Sequence, residues 1–461
     1  MEQRTLLKAL RYEYYCTAQK QRVQVIEIVL IYLFLPFLVF LILGVPIAFS
    51  LGLASTFFLF FSGTRIPPLI LMTQMYGGID SFALLALPMF VLTGELLNRL
   101  NLTERLIEVA RLLVGWIKGG LAHVNVVTSM FFAGISGSVL ADAASIGPIL
   151  IPAMIRERYP PAFSAALTGA SAVIGAIIPP SIPLIIVGGS MQISISGLFA
   201  AGIIPGVLIG LFLMITSFLF AIFRNYGDIH RFEGVIPVAR GTFRALPVLV
   251  IPFVILYGIL GGVMTPTEAG AIAALYAIVL GTMYGFFQGN FSVHKFINAM
   301  VGTARVTGSS LIIVGAAIVF GQILIFHQFP QGLLDVVLNL TENKILLFLI
   351  IVLFFLFVGT FMDAVANMII LGPLLMPIAI EGLGMHPIQY GMFLMIGLLL
   401  GVITPPLGIV LFIVAPIAKT SIERTSIAVL PFLLAELFVL TLIAFVPFIT
   451  LGIPRLAGII N

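Results

Sequence analysis

Two apolar stretches, each followed by adjacent prolines at a depth where a lipid-buried helix should continue, limit what this chain can become. Phe132–Met154 is echoed by Phe357–Ile380, and the first is followed by Gly175-Ala-Ile-Ile-Pro-Pro180, the second by Gly401-Val-Ile-Thr-Pro-Pro406. Gly147-Pro148 and Gly372-Pro373 lie 225 residues apart, while Pro179 and Pro405, and Pro205 and Pro431, lie 226 apart. One unit is therefore written twice. Adjacent prolines remove two amide donors and clash with the preceding turn, so the helix must break there.

The surroundings of these breaks are lipid-like. Of 461 residues, 61% are hydrophobic and 9% charged, against about a quarter charged in soluble domains. Apolar runs of about 20 residues, the length of one crossing, recur from Val25 to Leu456, and roughly ten to twelve crossings fit. The fold class expected is an all-α polytopic membrane protein of two pseudo-symmetric repeats. The first 27 residues carry Arg4, Lys8, Arg11, Lys20 and Arg22 with no cleavage site after the apolar run, so they read as a basic tail before a retained span. A single cysteine excludes an internal disulfide, and five scattered histidines show no metal-ligand spacing. The net charge of +4 sits in loops, as orientation signals do and a nucleic-acid footprint does not.

Along the chain, the first repeat is expected over 28–223, a polar linker over 224–244 and the second repeat over 245–461. Residues 28–61 hold Pro36, Gly44 and Pro46 and predict a bent or broken helix. Thr103–Lys118 mixes charge with Leu, Ile and Val at three-to-four spacing and predicts a helix along the interface. The linker carries Arg224, Arg231, Arg240 and Arg244, which favours the cytoplasmic side. Thr265-Pro-Thr-Glu268 predicts a capped helix start. A mixed segment near His294–Arg305 is read as separate from an apolar segment, Gly308–Phe326. Each double proline sits between two apolar flanks, at about 162–189 and 390–416, and predicts a re-entrant hairpin whose tip is shielded by protein or faces a watery cavity.

Duplicated halves with paired Gly/Pro interruptions point to a transporter with its site at the midplane. Helix amino ends there offer N–H groups to an anion, and unwound carbonyls suit sodium. In the echo, Ser138 aligns with Asp363 and Asp142 with Asn367. A carboxylate at such depth calls for a partner or a bound cation, unless it caps a helix end or sits near an aqueous boundary. Ser136, Ser138 and Ser181 stand beside breaks; serines in spans also commonly bond their own helix carbonyls. Glu268 reads as a first-turn helix acid, and Glu95 and Glu436 stay unassigned.

Gly134-Ile-Ser-Gly-Ser-Val-Leu-Ala-Asp142, Gly175-Ala-Ile-Ile-Pro-Pro-Ser181, Gly262-Val-Met-Thr-Pro-Thr-Glu-Ala-Gly270 and Gly401-Val-Ile-Thr-Pro-Pro406 closely resemble the large membrane subunit of tripartite ATP-independent periplasmic (TRAP) transporters. The resemblance runs from about Leu38 to the C-terminus. It implies sodium-coupled import of an organic acid, such as a C4-dicarboxylate or sialic acid, by an elevator-type scaffold plus transport domain in the bacterial inner membrane. It implies as partners a periplasmic binding protein and a separate small four-helix membrane subunit, with sodium as coupling ion and no other cofactor. Carried over by residue, it puts substrate at Ser136, Ser181 and Asp363 and at the hairpin tips with Pro180 and Pro405. Sodium falls to Gly134, Ser138, Asp142, Gly175, Thr360, Asn367, Gly401 and Thr404. The basic tail favours a cytoplasmic N-terminus whereas the family's arrangement with its small subunit favours the other side, so that side stays open.

An intramembrane enzyme would need a nucleophile–base pair or a metal motif, and the sequence has neither His-Glu-x-x-His nor Gly-x-Ser-x-Gly. A stand-alone sodium/carboxylate symporter or ion transporter of similar fold, working without a binding protein, is the competing reading.

Overall fold

The computed structural model describes residues 26–460 apart from 65, 100–102, 229, 288–291 and 342. The basic residues of the expected tail, Arg4 to Arg22, lie outside the described residues. Among those described there are helices and no strands.

The chain starts with α1 (26–29), which runs through a π-helical turn, Leu30–Phe34, into α2 (Leu35–Ile42), and α3 (Ile47–Phe61) follows. The break between α2 and α3 is the one predicted from Gly44 and Pro46. Gly44 takes a positive φ of 80°, which glycine adopts without steric cost, and Pro46 forces the residue before it out of helical geometry. α4 (Leu69–Ile79) was not anticipated; its Gln74, Gly77 and Gly78 dilute the apolar signal. A 3₁₀ turn, Phe82–Leu85, leads into α5 (Ala86–Arg99), and α6 (Thr103–Val114) is the predicted amphipathic helix. Its Leu106, Val109 and Ala110 are buried.

Then come α7 (Gly120–Ser136), α8 (Val139–Arg156), α9 (Pro161–Ile174), α10 (Ile182–Met191) and α11 (Ile195–Phe223). Residues 224–228 and 230–234 are irregular, and the remainder of the arginine-rich linker already belongs to α12 (Val235–Leu260). α13 (Pro266–Phe287) opens on the expected cap: Thr265 N donates to Glu268 Oε2 at 2.8 Å and Glu268 N to Thr265 Oγ1 at 3.3 Å. α14 (Val293–Phe326) is one 34-residue helix, joining the two segments read as separate. No proline interrupts it, and its polar residues leave the intrahelical hydrogen bonds intact.

The chain closes with α15 (Phe329–Leu340), α16 (Lys344–Phe361), α17 (Ala364–Pro377) extended by a π turn, Ile378–Gly382, and α18 (Pro387–Gly401). After these come α19 (Ile409–Ile417), α20 (Ile422–Phe445) and α21 (Phe448–Leu456). Eight described helices are long and apolar enough to cross a membrane. That is fewer than the ten to twelve expected, because several apolar stretches are delivered as shorter helices. A 10-residue helix such as α10 rises about 15 Å, half a hydrocarbon core.

The described chain divides into two compact units. One contains residues up to 80, 311–349 and 369–384. Its interior is aromatic: Phe320 meets Phe34 edge-on at 5.4 Å and Phe37 at 5.5 Å, and Phe58 meets His327 at 5.0 Å. The other contains 81–310, 350–368 and 385–461. Here Phe163 of α9 packs on Phe432 of α20 at 5.4 Å and Phe355 of α16 on Phe393 of α18 at 5.5 Å. Both prolyl breaks, 175–181 and 402–408, lie in this second unit, and each includes a cis peptide, Pro179–Pro180 and Pro405–Pro406.

One close crossing in this unit is made by two glycines. A Cβ on Gly359 would stand 2.9 Å from Gly401 Cα and 2.8 Å from Leu398 O, so α16 and α18 touch backbone to backbone. Gly401→Ala should destabilise the protein by about 1–3 kcal/mol, the usual cost of overpacking, and lower the thermal unfolding midpoint in detergent. Gly308→Ala, where a Cβ meets nothing within 4 Å, should leave that midpoint unchanged or slightly higher.

Candidate functional site

Four interruptions in the second unit come together in two pairs. α7 ends at Ser136, Gly137 turns with φ 58°, and Ser138 is extended before α8 begins. Gly137 O accepts the Ile182 amide at 3.3 Å, and a Cβ on Gly137 would lie 2.9 Å from Pro180 O. The first helix break is thus seated on the first double-proline segment, and only glycine fits at the contact. The helices that lead into the second pair, α16 and α18, meet at Gly359 and Gly401 as described. The unwinding after α16 ends at Asp363, whose Oδ1 accepts the amides of Val365 at 2.9 Å and Ala366 at 3.3 Å.

The aligned residues Ser138 and Asp363 therefore occupy the same structural position, the N-cap, but behave differently. Asp363 satisfies amides at the start of α17, which is the capping role weighed from the sequence. Ser138 makes no side-chain cap bond. The first intrahelical bond of α8 runs from Asp142 N to Ser138 O at 3.0 Å, which leaves the amides of Val139, Leu140 and Ala141 without an intrahelical acceptor.

These amides open onto a cavity of about 250 Å³, close to the lower end of the range for small-molecule sites. Ser136, Ser138 and Asp363 line it. So do the first residues of four helices: Val139 to Ala141 of α8, Ile182 and Pro183 of α10, Ala364 and Val365 of α17, and Ile409 of α19. Helix amino ends carry partial positive charge and free N–H groups, so their convergence favours an anion. The remaining polar lining is Glu95 and Asn98 of α5 and Ser310 of α14. Sequence reading left Glu95 unassigned and passed over the other two. The stripe Val91, Glu95, Asn98 at three-to-four spacing was the available signal, but α14 supplies the other polar group from a segment distant in sequence.

The other predicted site residues do not line the cavity. Ser181 is buried and caps α10, donating to Ala176 O and accepting the Leu184 amide at 3.3 Å. Pro180 and Pro405 belong to the unwound segments behind it. Asp142 is fully buried, and neither carboxylate oxygen makes a hydrogen bond of good geometry, with the Ser129 hydroxyl its polar neighbour. The carboxylate is pressed onto Gly175, where a Cβ would stand 2.9 Å from Asp142 Oδ2. Its aligned partner Asn367 donates to Val358 O and Met362 O at 3.4 Å each and leaves Oδ1 buried without a partner. Thr360 and Thr404 donate to Leu356 O at 2.6 Å and Leu400 O at 2.7 Å, so their oxygens keep lone pairs for another ligand. Gly134 lies under Pro252, 2.6 Å from a built Cβ to the ring.

Residues 34–449 match the family model described as the tripartite ATP-independent periplasmic transporter, DctM component. The chain is 38% identical over 418 residues to the sialic acid TRAP transporter large permease protein SiaM of Vibrio cholerae, covering 90% of this chain and 95% of that one. It is 34% identical over 405 residues to the 2,3-diketo-L-gulonate TRAP transporter large permease protein YiaN of Escherichia coli, covering 88% and 94%. Its fold is similar to that of the Alcanivorax borkumensis YdaH transporter, with a TM-score of 0.61 at 19% identity over 91% of this chain and 99% of that one. With its eight crossing-length helices, the chain belongs to the TRAP transporter family as its DctM component, a multi-pass permease subunit of the bacterial inner membrane and not an enzyme.

Proposed function

We propose that this permease imports an organic acid by sodium symport, receiving it from a periplasmic binding protein and working beside a small four-helix membrane subunit. The observation that carries this reading is the uncapped amino end of α8, opening with three other helix starts onto one cavity. A carboxylate or sulfonate placed there meets free amides and the hydroxyls of Ser136 and Ser138. Relatives named for sialic acid and 2,3-diketo-L-gulonate act on acids of this kind.

Sodium is assigned to the unpartnered oxygens behind the cavity. One site uses the Asp142 carboxylate with backbone oxygens around Gly134 and Gly175; the other uses Asn367 Oδ1 with Thr360, Thr404 and carbonyls near Gly401. An unpaired carboxylate in a dry interior is costly, and a hard cation held by oxygens removes the cost. Each ion sits against an unwound segment that also supports the cavity wall, so sodium and substrate raise each other's affinity by one factor. In the elevator scheme the two prolyl segments move with the cavity and keep both ligands together while access changes sides.

Proteoliposome uptake with binding protein and small subunit present tests this. Asp363→Ala removes both the charge and the α17 cap and should abolish uptake while costing about 1 kcal/mol of stability. Asp363→Asn keeps a capping oxygen, so its unfolding midpoint should stay near wild type while uptake is still lost; unchanged uptake would remove Asp363 from the site. Asp142→Ala should raise the sodium concentration for half-maximal uptake by at least about tenfold, or 1.4 kcal/mol of coupling. An unchanged sodium dependence would leave the buried carboxylate without an ion.

A further inference from the structure

The polar wall supplied by α5 and α14 is not explained by anion binding alone. α5 comes onto the first break directly: a Cβ on Gly94 would lie 3.1 Å from Ile135 O and 3.4 Å from Ser136 Cα. One turn of the same face brings Glu95 and Asn98 to the cavity. The Glu95 carboxylate lies over α14 at Gly302, 3.0 Å from a Cβ built there, and Ser310 lines the cavity two turns further along α14. Arg99 Nε donates to Glu95 Oε2 at 2.9 Å. The guanidinium is therefore spent on Glu95, and Arg99 is not among the lining residues.

The described lining holds two carboxylates, Glu95 and Asp363, and no lysine or arginine. Asp363 is turned onto the amides of α17, which offset its charge. Glu95 is held on the other wall beside an amide and a hydroxyl, with Arg99 paired to it, so that wall offers a second anion no free cation. One acidic group of a substrate fits the α8 amides, but a second would face Glu95.

Given that the substrate occupies this cavity as proposed above, we propose that Glu95 selects a substrate with a single acidic group and hydrogen-bond donors, hydroxyl or ammonium, and rejects a dianion. Acceptance comes from Glu95, Asn98 and Ser310 receiving or sharing those donors. Rejection comes from the lack of a free cation for the second charge: the described lining has no lysine or arginine, and Arg99 is already paired with Glu95.

The test measures ligand-induced shifts in the unfolding midpoint of the full chain in lipid nanodiscs and sodium. The probes are gluconate, β-alanine and succinate. Gluconate or β-alanine should bind wild type at least about tenfold more tightly than succinate, and Glu95→Gln should shrink that ratio at least about tenfold. Asn98→Asp, which adds a charge to the same wall without touching the Glu95–Arg99 pair, should widen it. Succinate binding as well as gluconate and β-alanine overturns the proposal, as does a ratio that ignores both substitutions or a wild type that binds neither gluconate nor β-alanine. Asp363→Asn separates the two levels. Loss of all binding with a ratio insensitive to Glu95 sinks the selectivity alone, whereas unchanged binding of every probe sinks the placement of substrate in the cavity.

Discussion

Backbone amides inside a membrane must find acceptors, and this chain places several where its own helices cannot supply them. Everything distinctive about the second unit follows from that. Proline pairs end α9 and α18, a left-handed glycine ends α7, and a capping aspartate begins α17. Each end is then tied off differently. Gly137 O takes the Ile182 amide, Ser181 caps α10, and Asp363 caps α17. α8 alone among these begins on a cap residue whose side chain bonds none of its amides and lines the cavity with its whole first turn. The amides left over are the group proposed to bind the acid.

Glycine makes the arrangement compact enough to work. At Gly137, Gly175, Gly359 and Gly401 a single added methyl would meet backbone or the Asp142 carboxylate within 3 Å. The first break therefore touches its prolyl segment backbone to backbone at Gly137, and α16 touches α18 in the same way at Gly359 and Gly401. That closeness brings the Asp142 carboxylate against Gly175, at the head of the segment it is proposed to control.

Much of this was legible in the sequence. The two double prolines located the breaks at 175–181 and 402–408 because proline acts locally, whatever the tertiary context. The echo likewise paired Ser138 with Asp363, and both proved to be N-caps. The cavity's composition was less legible. Ser181 and Asp363 looked alike as polar groups beside breaks, yet one is tied up at the start of α10 and the other lines the cavity. Glu95, Asn98 and Ser310 were not placed there, because which face of α5 meets α14 depends on packing between segments some two hundred residues apart. α4 and the single span of α14 were missed for a related reason: scattered glycines and polar residues weaken an apolar pattern without breaking a helix.

The account stands on the unwound segments responding to sodium as one assembly. Amide hydrogen exchange at 175–181 and 402–408, measured on the full chain in sodium and in potassium at equal ionic strength, tests it most directly. Slower exchange in sodium at both segments, lost at 175–181 in Asp142→Ala, is the predicted result. Equal exchange in the two salts would contradict the assignment of those oxygens to a coupling ion.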